Sequence, residues 1–178
     1  MSVDDRIYKI GLSLLEGIGI IKTKTMLAYV GDPVDLFGYS DNELADLCKL
    51  KLSRVKKLNR EKALDRAKAE LEFMDKNGVN LHYYQDSNYP PSLKFCEDGP
   101  IVLYSKGKVQ FDRPNIAVVG TRKATKYGKS ITQRFIHDLA PFGVQIVSGL
   151  AHGIDKEAHT SALKEGLPTI AVLGHGLD

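Results

Sequence analysis

The sequence predicts an α/β chain in two parts: a small helical domain over residues 1–78, then a partial doubly wound parallel sheet over residues 79–178. Three observations predict this. The N-terminal part is rich in Ala, Leu, Glu and Lys at helical spacing, with recognisable caps and stops. The C-terminal part contains three runs, IAVVG from Ile116, VQIVSG from Val144 and TIAVLG from Thr169, each apolar on consecutive residues as in a strand buried in a parallel sheet. Each run breaks at a small-residue turn and helical spacing fills the gaps, which implies right-handed βαβ crossovers.

Taken in order, Asp4 or Asp5 caps a first helix running through Leu15. Ser40 and Glu43 form a capping box ahead of Leu44 and Leu47. A long helix is expected from Ser53 to Lys76, stopped by Asn77-Gly78. Strands are expected at Val79 to Tyr84 and Ile101 to Tyr104, with a loop at Asn88, Pro90 and Pro91 between them. The first helix between the apolar runs spans about Tyr127 to Phe142, with Ile131, Phe135, Ile136 and Leu139 on one face and Gly143 as its stop. The second spans Ile154 to Lys164, with Ala158, Ala162 and Leu163 inward and Gly166 and Pro168 closing it.

Doubly wound sheets bind ligands beyond the carboxyl ends of their strands. Gly120 to Gly128, Ser148 to Gly153 and Gly174 to Asp178 are therefore expected along one edge. The first turn, GTRKATKYG, lacks the second glycine of the GxGxxG dinucleotide pattern, and the second strand ends in Ser148 where a ribose-binding acid is wanted. Both facts argue against a nicotinamide cofactor. The phosphate-loop pattern GxxxxGKS is also missing, because Gly128-Lys129-Ser130 has no glycine at the earlier position. What remains is a simpler anion site: helix-start amides, the Thr121 hydroxyl and the planar fork of Arg122. Arg113, Arg122, Lys123, Lys126, Lys129 and Arg134 lie in a stretch without an acidic residue, although the chain as a whole is only +3. Such local concentration of charge is the footprint of a polyanion site. Tyr127 has two readings, a face on which a base stacks or a ring that pins the turn to the sheet edge, and pinning is favoured.

These residues resemble the DprA/Smf family of DNA-processing proteins. GTRKATKYG is similar to its G-[ST]-R-x-x-[ST]-x-Y-G turn, SGLAHGIDKEAH to its S-G-x-A-x-G-[IV]-D-x-x-A-H segment, and TIAVLGHGLD to the strand and turn that follow. YPPSLKFCEDGPIVLYSKG is similar to the family's lead-in. The resemblance implies a Rossmann-like sheet domain that binds single-stranded DNA in natural transformation, protects incoming DNA and loads the RecA recombinase. It places DNA contacts on Gly120, Thr121 and Arg122, puts Ser148 and Gly149 on the second turn bordering the same pocket, and gives Asp155 and His159 structural roles; Lys123, Thr125 and Tyr127 of the first turn complete the candidate DNA-binding set. It also implies homodimerisation of the full-length family and a non-enzymatic role. The family continues past the last residue of this chain, so the sheet domain is expected to be truncated at its C-terminus.

In the helical part, Glu16-Gly17-Ile18-Gly19 followed by Lys22 resembles the glycine turn of a helix-hairpin-helix, in a domain of that type or of sterile-alpha-motif type. Gly17, Gly19 and Lys22 are thus candidates for a secondary DNA contact. The basic run Lys49 to Lys62 is read mainly as a solvated helical face.

Other classes are tested by what is missing. A Ser148, His159 and Asp155 triad lacks the GxSxG nucleophile elbow. A nucleotide-processing enzyme of phosphoribohydrolase type needs a catalytic glutamate near a GGxGT turn, and none is present. A pure interaction module on an α/β scaffold stays open. No CxxC or HExxH suggests a metal, and no cofactor is expected. Cys48 and Cys96 are expected as free thiols, and Met1 to Asp5 does not read as a signal peptide, so a cytoplasmic protein is expected.

Overall fold

A computed structural model of the chain describes residues 4–177. Met1, Ser2, Val3 and Asp178 lie outside the described residues, including the parts of the expected N-terminal segment and third turn that fall on them. The chain divides into two compact units, at Lys108 and Val109. This differs from the division read at residue 78, because the strands that follow the helices belong to the first unit.

The first unit is helical. Helix α1 (Arg6–Ser13) starts where the Asp4 carboxylate accepts the Arg6 N–H at 3.0 Å, and α2 (Ile20–Val30) follows across the glycine turn. Helix α3 (Pro33–Gly38) has Pro33 at its first position and Asp32 as its cap, and α4 (Asp41–Leu47) has the expected reciprocal Ser40/Glu43 box. The long helix expected from Ser53 is two helices, α5 (Leu52–Lys56) and α6 (Arg60–Asn77). The break is tertiary in origin. Asn59 turns left-handed at φ 49° and donates to the Glu16 carboxylate, while the Glu16 N–H donates to the Leu58 carbonyl at 3.2 Å. The kink lets both Val55 and Leu58 reach the core at 1% exposure, beside Leu12, Met26, Leu27, Leu36 and Leu44. Gly78 ends α6 left-handed at φ 64°, as Asn77-Gly78 predicts.

Strands β1 (Val79–Tyr83) and β2 (Val102–Lys106) form an antiparallel pair of their own, with Leu81 opposite Tyr104. Tyr83, Ile101 and Val102 join the helical core. Between the strands a short helix α7 (Pro91–Lys94) follows buried Tyr89, whose hydroxyl donates to the Pro100 carbonyl at 2.7 Å.

The second unit is a three-stranded parallel sheet in the order β3 (Asn115–Ala117), β4 (Gln145–Ser148), β5 (Thr169–Ala171). Helix α8 (Lys126–Leu139), continued by a 3₁₀ turn to Phe142 and stopped by Gly143 at φ 60°, leads from β3 to β4. Helix α9 (Ile154–Lys164) leads from β4 to β5. Both crossovers step in the same direction, so right-handedness puts both helices on one face. There Ile136, Ile146, Ala158 and Ala162 are fully buried, with Ile116 and Val118 packed against them. The two alanines let α8 and α9 approach closely.

Two expectations fail here. Residues alternate across a strand, so Ala117, Val119 and Val172 on the uncovered face are exposed rather than buried on both sides. The buried row of α8 is Thr132 and Ile136, which leaves Ile131 and Phe135 nearly half exposed; Leu163, expected inward on α9, is 69% exposed.

Candidate nucleic-acid interface

The three strand ends converge as the topology requires. The Ser148 hydroxyl donates to the Val118 carbonyl at 2.6 Å, tying the end of β4 to that of β3, and the Val172 N–H donates to the Ser148 carbonyl at 2.8 Å, tying on β5. Beyond them, the Ile154 N–H donates to the Thr121 carbonyl at 3.2 Å, joining the first turn to the start of α9.

Two glycines set this approach. A Cβ on Gly120 would lie 2.7 Å from the Ile154 side chain. Gly153, at φ 92°, would place one 2.1 Å from the Thr121 carbonyl. The carboxylate of Asp155, buried in the first turn of α9, accepts the Gly120 N–H at 3.2 Å, and its other oxygen sits where a Cβ on Gly149 would intrude at 2.9 Å. Asp155 therefore holds the first two turns together. It also takes one amide out of play: Gly120 contributes space at the site, because its N–H already has an anionic acceptor.

Donors remain at the start of α8. The Thr125 hydroxyl caps that helix by accepting the Gly128 N–H at 3.0 Å, so it is occupied with backbone rather than turned outward. The Lys126 and Tyr127 amides in the first turn have no acceptor within the helix. Thr121 accepts the Lys123 N–H at 3.1 Å and keeps its own O–H for an outside partner. Arg122, Lys123, Lys126 and Lys129 are all exposed and enter no ion pair among the described residues. Four cations around uncovered helix-start amides make an anion-binding surface.

Tyr127 settles differently from the reading favoured above. It is 76% exposed, so its ring does not pin the turn to the sheet and its face is open. Leu150 escaped the sequence reading altogether. It is 53% exposed and left-handed at φ 55°, a conformation leucine adopts at a cost, and it follows Ser148 and Gly149 along the same edge. No local pattern announces such a residue.

His159 lies buried beneath the edge. The Thr169 hydroxyl donates to the Ile146 carbonyl at 3.0 Å, so it accepts from His159 Nδ1 at 2.6 Å, which fixes the proton on Nδ1. Burial lowers the imidazole pKa, against smaller raising effects of the Ser148 backbone and the Asp155 charge. The Ser148 hydroxyl thus bonds Val118 and the His159 imidazole bonds Thr169, and His159 meets the Ser148 backbone rather than its hydroxyl. Among the described residues no group of three or more His, Cys, Asp and Glu could hold a metal ion, and no helix is long and apolar enough to cross a membrane. Cys48 is buried, Cys96 is exposed and both are free.

Gly17, Gly19 and Lys22 lie in the first unit, on the α1–α2 turn and the first turn of α2, and are exposed.

Residues 80–178 match the model of the family described as DNA recombination-mediator protein A. The chain is 45% identical over 94 residues to the DNA processing protein DprA of Streptococcus pneumoniae R6, covering 52% of this chain and 33% of that protein. It is 43% identical over 91 residues to protein Smf of Escherichia coli K12, covering 51% of this chain and 24% of that one. The chain thus spans a quarter to a third of the length of these relatives. The X-ray structure of DprA from Streptococcus pneumoniae superposes with a TM-score of 0.68 at 31% identity, covering 100% of this chain and 60% of that one. The match takes in every turn of the edge, and with it more than half of the sequence: the chain belongs to the DprA/Smf family.

Proposed function

We propose that this chain acts in DNA processing by binding single-stranded DNA at the Thr121/Arg122 turn, without catalysis. The observation that carries the reading is the set of unpaired cations Arg122, Lys123, Lys126 and Lys129 beside the uncovered amides that begin α8. A phosphodiester chain offers repeated charge to such a surface, and the open ring of Tyr127 offers a base a stacking face. Ser148 and Gly149 floor the second turn beside it. The names of the relatives support the DNA assignment. In this reading DNA held here is protected and handed to a RecA-type recombinase, the working assembly is a homodimer, and the protein is cytoplasmic. The Ser148 and His159 bonding argues for the absence of hydrolytic chemistry, since the hydroxyl and the imidazole are not linked as nucleophile and base.

Titration with labelled single-stranded oligonucleotide, duplex of the same sequence and mononucleotide tests the proposal. Affinity is expected in the order single strand, duplex, mononucleotide. Tighter binding of mononucleotide, or its hydrolysis, would overturn the reading in favour of a nucleotide-processing site.

A further inference from the structure

Leu150 stands at the middle of the ligand edge at a cost that the fold does not recover. It follows Ser148 and Gly149 past the end of β4, the central strand. At φ 55° it is left-handed, where a Cβ crowds the backbone and glycine or asparagine serves better. A buried leucine offsets such strain by packing, but this one is 53% exposed and stands outside the core around Ile136 and Ile146. An exposed leucine alone means little, because folded surfaces carry many apolar atoms. Here one side chain both strains its backbone and faces water.

The segment that displays it is pinned from both sides. Before it, Ser148 is tied to β3 through its hydroxyl and to Val172 through its carbonyl, at 2.6 and 2.8 Å. After it, the Ala151 carbonyl accepts the Lys156 N–H at 3.0 Å, and the Ile154 N–H reaches Thr121. Leu150 also has apolar company. Val119 and Val172 lie within two residues of the ends of β3 and β5 and are 75% and 59% exposed. Because β4 runs between those strands, the three side chains lie along the same edge, beside the free cations Arg122, Lys123, Lys126 and Lys129. This pairing of charge with apolar surface matches a strand that alternates phosphates with flat bases. In a duplex the base faces stack on one another; in a single strand they are open to a side chain.

We propose that Leu150 is a specificity-determining contact, meeting the face of an unpaired nucleobase while the first turn holds the phosphates. The identity of the ligand rests on the single-strand reading of this edge; the contact itself rests on a strained, exposed residue and an apolar row that the phosphate site does not use. An aliphatic side chain meets any base face, so the contact favours unpaired over paired bases without ranking the four bases.

The test uses the whole chain with the variants Leu150→Gly, Leu150→Asn and Arg122→Ala, titrated with a thymine oligonucleotide and with an abasic strand of the same length, which keeps the phosphates and lacks the bases. The parent is expected to prefer the base-bearing strand. Both Leu150 variants should shrink that preference about fivefold, as for an apolar contact of roughly half a leucine's surface. Glycine and asparagine suit the left-handed backbone, so unfolding midpoints should stay at or above the parent's. Loss of function without loss of stability is the mark of a residue kept for its ligand. An unchanged preference in both variants would overturn the proposal, as would a parent that binds the two strands equally or a midpoint lowered in both variants, which would give the side chain a role in the fold. Arg122→Ala should weaken both strands. A silent Arg122→Ala beside active Leu150 variants would sink the phosphate reading of the first turn alone, and a parent that binds neither strand would end both.

Discussion

Gly153→Ala is expected to destabilise the parallel-sheet unit by about 3–5 kcal/mol, a large part of the 5–15 kcal/mol typical of a domain. Two costs combine. An L residue at φ 92° and ψ −126° is strained by about 1–3 kcal/mol, and the new methyl would lie 2.1 Å from the Thr121 carbonyl and 2.7 Å from the Arg122 backbone. Both obstacles are main chain, so no rotamer change relieves them. The first turn must then move away from α9, which breaks the Ile154 to Thr121 hydrogen bond and displaces Arg122. Gly143→Ala is the control, because Gly143 is also left-handed, at φ 60°, but has open space at its Cβ position. It should cost about 1 kcal/mol. Denaturant unfolding of both variants measures the difference, and equal losses would show that the close approach of the two turns carries no energy.

Asp155→Ala is expected to cost about 1–4 kcal/mol. It leaves the Gly120 N–H without its acceptor, worth about 1–3 kcal/mol for a buried group, and removes a carboxylate from the first turn of α9, worth about 0.3–1 kcal/mol. Asp155→Asn keeps an acceptor oxygen at the same place and should lose about 1 kcal/mol or less. Unfolding midpoints of the pair decide the matter: an Asn variant as weak as the Ala variant would mean that charge, rather than the hydrogen bond, holds the turns. Single-strand affinity should follow the same order, since Asp155 positions Gly120 and Gly149 without touching the ligand.

The parts of this molecule that local chemistry dictates were legible in its sequence. Valine-rich runs became parallel strands, Ser40 and Glu43 became a capping box, and Asn77-Gly78 stopped a helix. Contacts between distant residues decided the rest. Helical propensity runs unbroken through Lys57 to Asn59, but Glu16 draws Asn59 into a left-handed turn from far along the chain. Apolar spacing marked Ile131 and Phe135, while the position of the two buried alanines of α9 turned α8 onto Thr132 and Ile136 instead.

The site divides in the same way. Thr121, Arg122, Lys123 and Tyr127 could be read from one contiguous motif. That Gly120 gives its amide to Asp155 depends on a helix supplied by a later crossover, whereas Thr125 spends its hydroxyl on the local cap of α8. Leu150 shows only in the backbone angles.

In the proposed function the turn at Thr121 and Arg122 holds the backbone of a single strand. Its most direct test is the salt dependence of single-strand affinity for the parent chain and Arg122→Ala. Log affinity should fall linearly with log salt, by about 0.7 for each phosphate neutralised, with the Arg122→Ala slope shallower by about 0.7 and binding weaker on every sequence. Salt-independent binding, or identical slopes and affinities for the two proteins, would contradict it.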